Sequence, residues 1–490
     1  MGPKPRATVS LARNAYPPSH TSTVEIPVSI AVAFPSRRLA AAALVTLSTL
    51  AAVVTRAASA QSAGRAEPAA ALTAEIDRRA AQVMPKVVAW RRDIHQHPEL
   101  GNRETRTAKL VADHLRALGM EVGTGVARTG VVGVLRGGRP GPVVALRADM
   151  DALPVQEEVD LPFKSTVRTT YNGQDVGVMH ACGHDMHVAM LMGAAEVLAG
   201  MREQLPGTVK FIFQPAEEGP PMGEAGGASL MIKEGALENP RPAAIFGIHV
   251  GVAPKEAGHI SYRPMGAMAA ADVLRIVVRG RQTHGALPWA GIDPIVVAAQ
   301  VVMGLQTVVS RQADLTTSPA VVTIGSIQGG VRTNIVPDSV VMLGTIRTFD
   351  MPMRDSIQAH VRRTAQMIAA SAGATADVVF TNLAPVTYND PALTERMLPT
   401  LRRVAGAKNV SLAKQTTGAE DFGYFQQKVP GLFVFLGVVP KGGDLSKVAP
   451  NHSPRFFADE SAMPVGVRTL SQLAVDYMSV PSPAAQVGAK

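Results

Sequence analysis

Four short apolar runs limit what this chain can fold into: GPVVALRADMDALP (141–154), GTVKFIFQPAEEG (207–219), AAIFGIHVG (243–251) and GLFVFLGV (431–438). The core of each is one strand long, rich in valine or phenylalanine, and apolar at successive positions. That pattern belongs to strands covered on both faces, which are typically parallel. Helix-length stretches lie between and around them. Residues 75–97 place Ile76, Val83, Val87 and Ile94 on one face. Residues 103–118 repeat the pattern and stop at Gly119, and VAMLMGAAEVLAGM (188–201) reads as a helix, apolar but for Glu196. Strands alternating with helices predict an α/β fold: a parallel-rich sheet with helices on both faces.

The texture changes near Ala269. AADVLRIVVRG alternates as a half-exposed strand, residues 292–311 read as a helix, and AVVTIGSIQGG and SVVMLGTIRTF as strands. A helix over 352–372 and the strand ATADVVFTN complete the series β-α-β-β-α-β, a ferredoxin-like order. The expected organisation is a catalytic domain in two parts, 75–266 and 385–480, with a ferredoxin-like dimerisation or lid domain, 267–384, inserted between them. The final PSPAAQVGAK reads as disordered.

The chain has 490 residues and a formal charge of +9, of which residues 1–60 hold +5: six basic residues against Glu25 alone. Within them, Arg37 and Arg38 precede an apolar run from Leu39 to Val54, and Ala58-Ser59-Ala60 offers a small-x-small cleavage site. This is the pattern of a secretory signal cut near Ala60, so the expected location is exported and periplasmic. Arg37-Arg38 is only a weak match to a twin-arginine signal. No later segment reads as long and apolar enough to span a membrane. With the N-terminal charge set aside, no basic cluster of the kind nucleic acid requires is left. Aromatic residues make up only 4% of the chain, too few for a base-stacking platform.

Metal-type side chains gather where the strands end, which is where α/β folds place their sites. RADMDALP brings Asp149 and Asp151; HACGHD brings His180, Cys182, His184 and Asp185; QPAEEG brings Glu217 and Glu218; GIHV brings His249; and NHSPRF adds His452. Singly these are weak signals. A strand-end histidine is usually a hydrogen-bonded core residue, and a buried cysteine is usually a small hydrophobe. Together they change meaning. C-x-H on an extended backbone would aim both side chains the same way. Thiolate, imidazole and carboxylate in one set suit a transition metal rather than calcium or magnesium. Cys182 is the only cysteine, so no disulfide can form within the chain. Adjacent glutamates on an extended segment would diverge, one free to bind metal and the other to handle a proton. Spacing alone does not rank Glu217 against Glu218.

In order along the chain, RADMDALP, HACGHDMH, QPAEEG, GIHV, GAEDF and NHSP resemble the hippurate hydrolase and indoleacetyl-amino-acid hydrolase family. That family is a branch of the aminoacylase/carboxypeptidase metallohydrolases, and the likeness runs from about Glu75 to Tyr477. The resemblance implies two divalent metal ions, manganese, zinc, nickel or cobalt, held by Cys182, His184, Glu218, His249 and His452, with Cys182 bridging or near both. It makes Glu217 the general base and acid, Asp151 a supporting acid, His284 of GRQTHGALPW the oxyanion stabiliser and Asn334 of GGVRTNIVPD a substrate contact. The bland alternative for His284 is a turn residue. Glu420 and Asp421 of GAEDF stay open between support of the site and a plain loop role. His180, Asp185 and His187 fall outside the ligand set, with Asp185 placed as a helix cap. Pro220-Pro221 beside the acid pair departs from the usual pattern and loosens any substrate analogy.

The function implied is metal-dependent hydrolysis of the amide of an N-acyl amino acid, hippurate-like or similar. The alternatives are a dipeptidase or metallocarboxypeptidase and, from another class, an inactive periplasmic metal- or ligand-binding protein. The expected partners are a small N-acyl amino acid or peptide substrate and a second copy of the chain. The assembly is read as a homodimer, with a tetramer open; nucleic acid and, after signal removal, membrane are excluded.

Overall fold

The computed structural model describes residues 71–251 and 255–479. The signal segment and the C-terminal PSPAAQVGAK lie outside the described residues. Numbered along the chain, the strands of the two larger sheets are β1 (Glu121–Val126), β2 (Gly130–Arg136), β3 (Arg139–Asp149), β4 (Pro206–Gln214), β5 (Ala244–Val250), β6 (Ile260–Tyr262), β7 (Ala270–Arg279), β8 (Ala320–Gln328), β9 (Ser339–Thr348), β10 (Thr375–Ala384), β11 (Val410–Leu412) and β12 (Gly431–Leu436). The longer helices are α1 (71–96), α2 (Thr105–Ala117), α3 (His184–Ala199), α4 (Pro294–Thr307), α5 (Met351–Ser371), α6 (Pro391–Ala405) and α7 (Met463–Ser479).

The first sheet has eight strands in the order β1-β2-β4-β3-β5-β12-β6-β11. Its centre is parallel, with β4, β3, β5 and β12 running together. β1 and β2 run antiparallel on one flank, and β6 is antiparallel to β12 on the other. The four sequence runs are these four central strands. Their two faces differ. Val144 and Leu146 of β3, Val209, Phe211 and Phe213 of β4, Phe246 of β5 and Val434 of β12 share a cluster with Val87 and Ile94 of α1, Met190 of α3, Leu401 of α6 and Leu473 of α7. The alternate residues Ala145, Ile212, Ile245 and Phe433 meet Met231 and Phe425, which lie on the short helices Gly227–Lys233 and Gly423–Gln426. Full burial of one such phenylalanine contributes about 1.5–3 kcal/mol. Helices do cover both faces, but the long ones all contribute to one.

The second sheet has four strands, all antiparallel, in the order β8-β9-β7-β10. Along the chain its elements run β7-α4-β8-β9-α5-β10, the order read from the sequence. α4 and a following π turn make one helical stretch, Pro294–Gln312, long and apolar enough in composition to cross a membrane. The sequence reading expected no such segment. Its Val297, Val301, Leu305 and Val308 are buried with Leu274, Ile276, Met342 and Ile346 of the second sheet, so one face is committed to packing within the protein.

Candidate metal centre

Strand alternation delivers the polar side chains to one place. Arg147 and Asp149 of β3, Gln214 of β4 and His249 of β5 share the parity of Ala145, Ile212 and Ile245, so they emerge on the short-helix face at the carboxyl ends of their strands. Between β3 and α3 the chain geometry differs from the extended C-x-H of the sequence reading. Cys182 sits in a turn, Gly183 takes φ of 86°, and His184 is the first residue of α3. A Cβ on Gly183 would stand 2.3 Å from Val250 Cγ2. Glycine is therefore required twice over, by its left-handed backbone and by close approach. The glutamate pair also lies in a turn rather than on an extended segment, entered through Ala216 at φ of 51°.

Two carboxylates hold that turn. Glu104, fully buried, accepts the backbone N–H of Ala216 at 2.9 Å and the Thr129 hydroxyl at 2.5 Å. Burial, and then the charge of Asp151, push its carboxyl up to about 7. Asp151 accepts the Glu218 N–H at 3.0 Å, and its other oxygen lies 3.3 Å from His184 Nδ1. Glu104 was not singled out in the sequence, because a lone glutamate after a helix-breaking stretch carries no signal. Asp151 connects two ligand candidates, His184 and Glu218.

Of five overlapping groups of possible donor atoms among the described residues, two share Cys182: Cys182–His184–His249 and Cys182–Glu218–His452. Within each, every donor lies within 4.8 Å of the others. Cys182 Sγ is 3.5 Å from His249 Nε2, and His452 Nε2 is 2.9 Å from Glu218 Oε1. His249 donates Nδ1–H to the Val250 carbonyl at 2.9 Å, leaving its Nε2 lone pair facing the sulfur. Burial and the neighbouring His187 hold this ring well below the ordinary histidine range, so it is neutral. Both nitrogens of His184 are buried and complete no hydrogen bond. A divalent cation at Nε2 would satisfy that nitrogen and leave Nδ1 to Asp151, and the sulfur, nitrogen and carboxylate donors fit a borderline-soft ion. In the metal-free chain the Cys182 and Glu218 groups push His452 up to about 10, so an incoming cation must displace its proton. The cleft has a volume of about 280 Å³ and is walled by Met268, Thr416 and Ala419 opposite the donors.

Residues 145–476 match the model of the peptidase family M20/M25/M40. The chain belongs to that family. It is similar to thermostable carboxypeptidase 1 of Saccharolobus solfataricus, 40% identical over 393 residues, 80% of this chain and 95% of that protein. It is also similar to IAA-amino acid hydrolase ILR1-like 4 of Arabidopsis thaliana, 39% identical over 398 residues, 80% of this chain and 86% of that protein. Among solved structures it resembles a Bacillus subtilis protein described as a dinuclear metal-binding peptidase from the M20 family. The TM-score is 0.67 and the identity 35%, over 81% of this chain and 99% of that one.

Beneath the donors of this M20 chain lies a charged layer that the sequence did not reveal. Arg147 is fully buried and bonds to Gln214 Oε1 at 2.9 Å, Asp149 Oδ2 at 2.6 Å, Glu420 Oε1 at 2.8 Å and Asp421 Oδ1 at 3.2 Å. The plain loop role for Glu420 and Asp421 is thereby replaced by buried ion pairing. Burial opposes the charge on Asp149, but Arg147, His184 and His187 offset it and hold its carboxyl well below the usual range. His187 has both nitrogens engaged: Nδ1 pairs with Asp149, and Nε2 accepts the Val250 N–H at 2.9 Å. Asp185 makes no cap bond to α3; it pairs with Arg91 at 2.9 Å and His95 at 2.8 Å. His180 is buried with neither nitrogen bonded. Glu217 sits among the acids, its Oε1 3.4 Å from the Asp421 N–H, and burial followed by the charges of Glu420, Glu218 and Asp421 raises it well above the ordinary glutamate range.

His284 and Asn334 are brought to each other but not to the cleft. His284 stands in the short strand Thr283–His284, opposite Ile335, and the Gly285 N–H bonds to the Asn334 carbonyl at 2.8 Å. Both side chains are exposed, and neither is among the cleft-lining residues. His284 Nδ1 accepts the Ala286 N–H at 3.0 Å.

Proposed function

We propose that this M20-family hydrolase cleaves the amide bond of an N-acyl amino acid, releasing a carboxylic acid and a free amino acid. The observation that carries the reading is the pair of donor triads sharing Cys182, with Glu217 standing outside both in the same cleft. The five donors Cys182, His184, Glu218, His249 and His452 would hold two divalent ions, with manganese, zinc, cobalt and nickel all compatible with the set. Bound there, the metal supplies Lewis acidity, polarising the scissile carbonyl and acidifying water. Glu217 takes the proton of the attacking water and returns it to the leaving nitrogen, a role its place in the cleft outside both triads leaves open to it. Asp151 holds His184 and the Glu218 backbone in place.

A substrate carboxylate also has a candidate partner. Arg347 of β9 pairs across the second sheet with Ala271, three residues from the cleft wall at Met268. Its Nη1 is buried without a hydrogen-bond partner. Arg347 is not among the cleft-lining residues, so a substrate carboxylate would have to extend beyond them to meet this donor. Arg347→Ala is expected to raise KM by about tenfold or more for acyl amino acids with a free carboxylate, the worth of a charged hydrogen bond. The same substrates capped as amides should be unaffected; an equal change for both would remove Arg347 from the carboxylate site.

The second sheet and its helices form the ferredoxin-like lid domain, 267–384, of this reading, flanked by the catalytic parts 75–266 and 385–480. His284 would stabilise the oxyanion and Asn334 would contact substrate, both delivered from a second copy. Their exposure in one chain supports this, as do the exposed Leu287, Trp289 and Val331 nearby and the open edge of β8. Export with removal of residues 1–60 completes the proposal. The mass of the protein recovered from the periplasm tests the export, and sedimentation equilibrium of that material distinguishes monomer, dimer and tetramer.

The deciding experiment is to strip the metals and restore manganese, zinc, cobalt or nickel singly, then measure amino-acid release from N-acyl amino acids and dipeptides. Metal-restored release from acyl amino acids supports the proposal. Preference for peptides would favour the carboxypeptidase or dipeptidase reading, for which the likeness to a carboxypeptidase speaks. No release with any metal, despite measured metal binding, would sink both.

A further inference from the structure

The side chain next to His452 has contacts that neither the family likeness nor the ligand set explains. Asn451 Nδ2 lies 3.2 Å from the Cys182 carbonyl, 3.5 Å from Cys182 Sγ and 3.1 Å from the Val250 carbonyl. An amide nitrogen carries two hydrogens, and all three acceptors around this one belong to Cys182 or to the residue after His249. One side chain therefore ties together the segments bearing Cys182, His249 and His452, which are up to 270 residues apart in sequence. The contact depends on local shape: a Cβ on Gly251 would stand 3.0 Å from Asn451 Oδ1.

We propose that Asn451 is a positioning residue for the metal thiolate: its amide N–H, donated to Cys182 Sγ, fixes the sulfur between the two triads and draws electron density from it. The inference rests on the reading that the triads hold metal. Hydrogen bonds to a ligating sulfur tune the metal–sulfur bond, and losing such an outer partner costs 10–100-fold in metal affinity. Leucine at this position keeps the bulk and removes the donor. Aspartate keeps the shape and puts an acceptor against the sulfur.

The test is titration of the metal-free full chain with Co²⁺, followed by near-ultraviolet absorption. The probe is Co²⁺ itself, because a cobalt thiolate shows a sulfur-to-metal charge-transfer band. The unsubstituted protein is expected to show this band, and Cys182→Ser to lack it. In Asn451→Leu the band should move to lower energy, since a sulfur without its donor is more easily oxidised, and Co²⁺ affinity should fall about 10–100-fold. Asn451→Asp should show the same shift. Circular dichroism establishes that each variant is folded. An unmoved band in Asn451→Leu overturns the proposal even if affinity falls, because a merely structural role weakens binding without altering the sulfur. Absence of the band from the unsubstituted protein would instead overturn the metal–thiolate reading, and this inference with it.

Discussion

Glu217→Gln is expected to keep its metal and lose its turnover. The side chain lies outside both triads, so removing its charge leaves the donors Cys182, His184, Glu218, His249 and His452 intact. What is removed is the group proposed to carry the proton. Positioned general acid–base catalysis is worth about 10²–10⁴ in rate, and kcat should fall by that factor with KM little changed. Metal content per chain, measured alongside kcat, separates this from a damaged site. A variant within threefold of the parent rate would take the proton-transfer role from Glu217. A variant that loses metal would make it a ligand, a possibility kept open by its grouping with His184 and Glu218.

The largest effect on stability should come from Arg147→Met. Arg147 is the one cation bonded to Asp149, Glu420 and Asp421, all on the buried side of the site. Removing it leaves carboxylates facing one another out of water. Breaking one side of a buried ion pair costs about 3–5 kcal/mol, and a shared cation belongs at the upper end. The pH dependence has a defined sign. Burial already holds Glu420 above the ordinary glutamate range and Asp421 at about 7 beside Arg147; without Arg147 these two rise further, and Asp149 loses the strongest charge that holds it low. The penalty is then full above the raised pKa values and shrinks as pH falls toward the unfolded carboxylate range near ~4. Urea midpoints of parent and variant at neutral pH and near pH 5 check both statements. A loss within 1 kcal/mol at neutral pH, or one that grows on acidification, would count against this account of the layer.

The parts of the structure legible in the sequence are those governed by local periods. The strands at 141–149, 207–214, 244–250 and 431–436 announced themselves because burial on both faces makes most successive positions apolar, with polar residues gathered mainly toward the strand ends. The β-α-β-β-α-β series was equally clear, its half-exposed strands alternating with period two. β6 and β11, three residues each, were too short to show a period. The backbone around the ligands was misread for a different reason. Extended geometry is the default for a strand end, whereas Gly183 and Ala216 both take positive φ, and only the packing of Val250 against Gly183 and the grip of Glu104 on Ala216 require it.

The same division runs through the site. Residue type and order along the chain determined the chemistry on offer: a single thiol among histidines, a glutamate pair, and acids where strands end. Those properties are one-dimensional, and side-chain chemistry does not change with folding. Which donor meets which was decided only by tertiary structure. Cys182 becomes the shared member of two triads because α3, β5 and the loop before α7 converge, and Arg147, Glu104 and Asn451 acquire their roles from partners between 2 and 274 residues distant. Distances across such separations follow from how a core packs, and no local pattern in the chain encodes them.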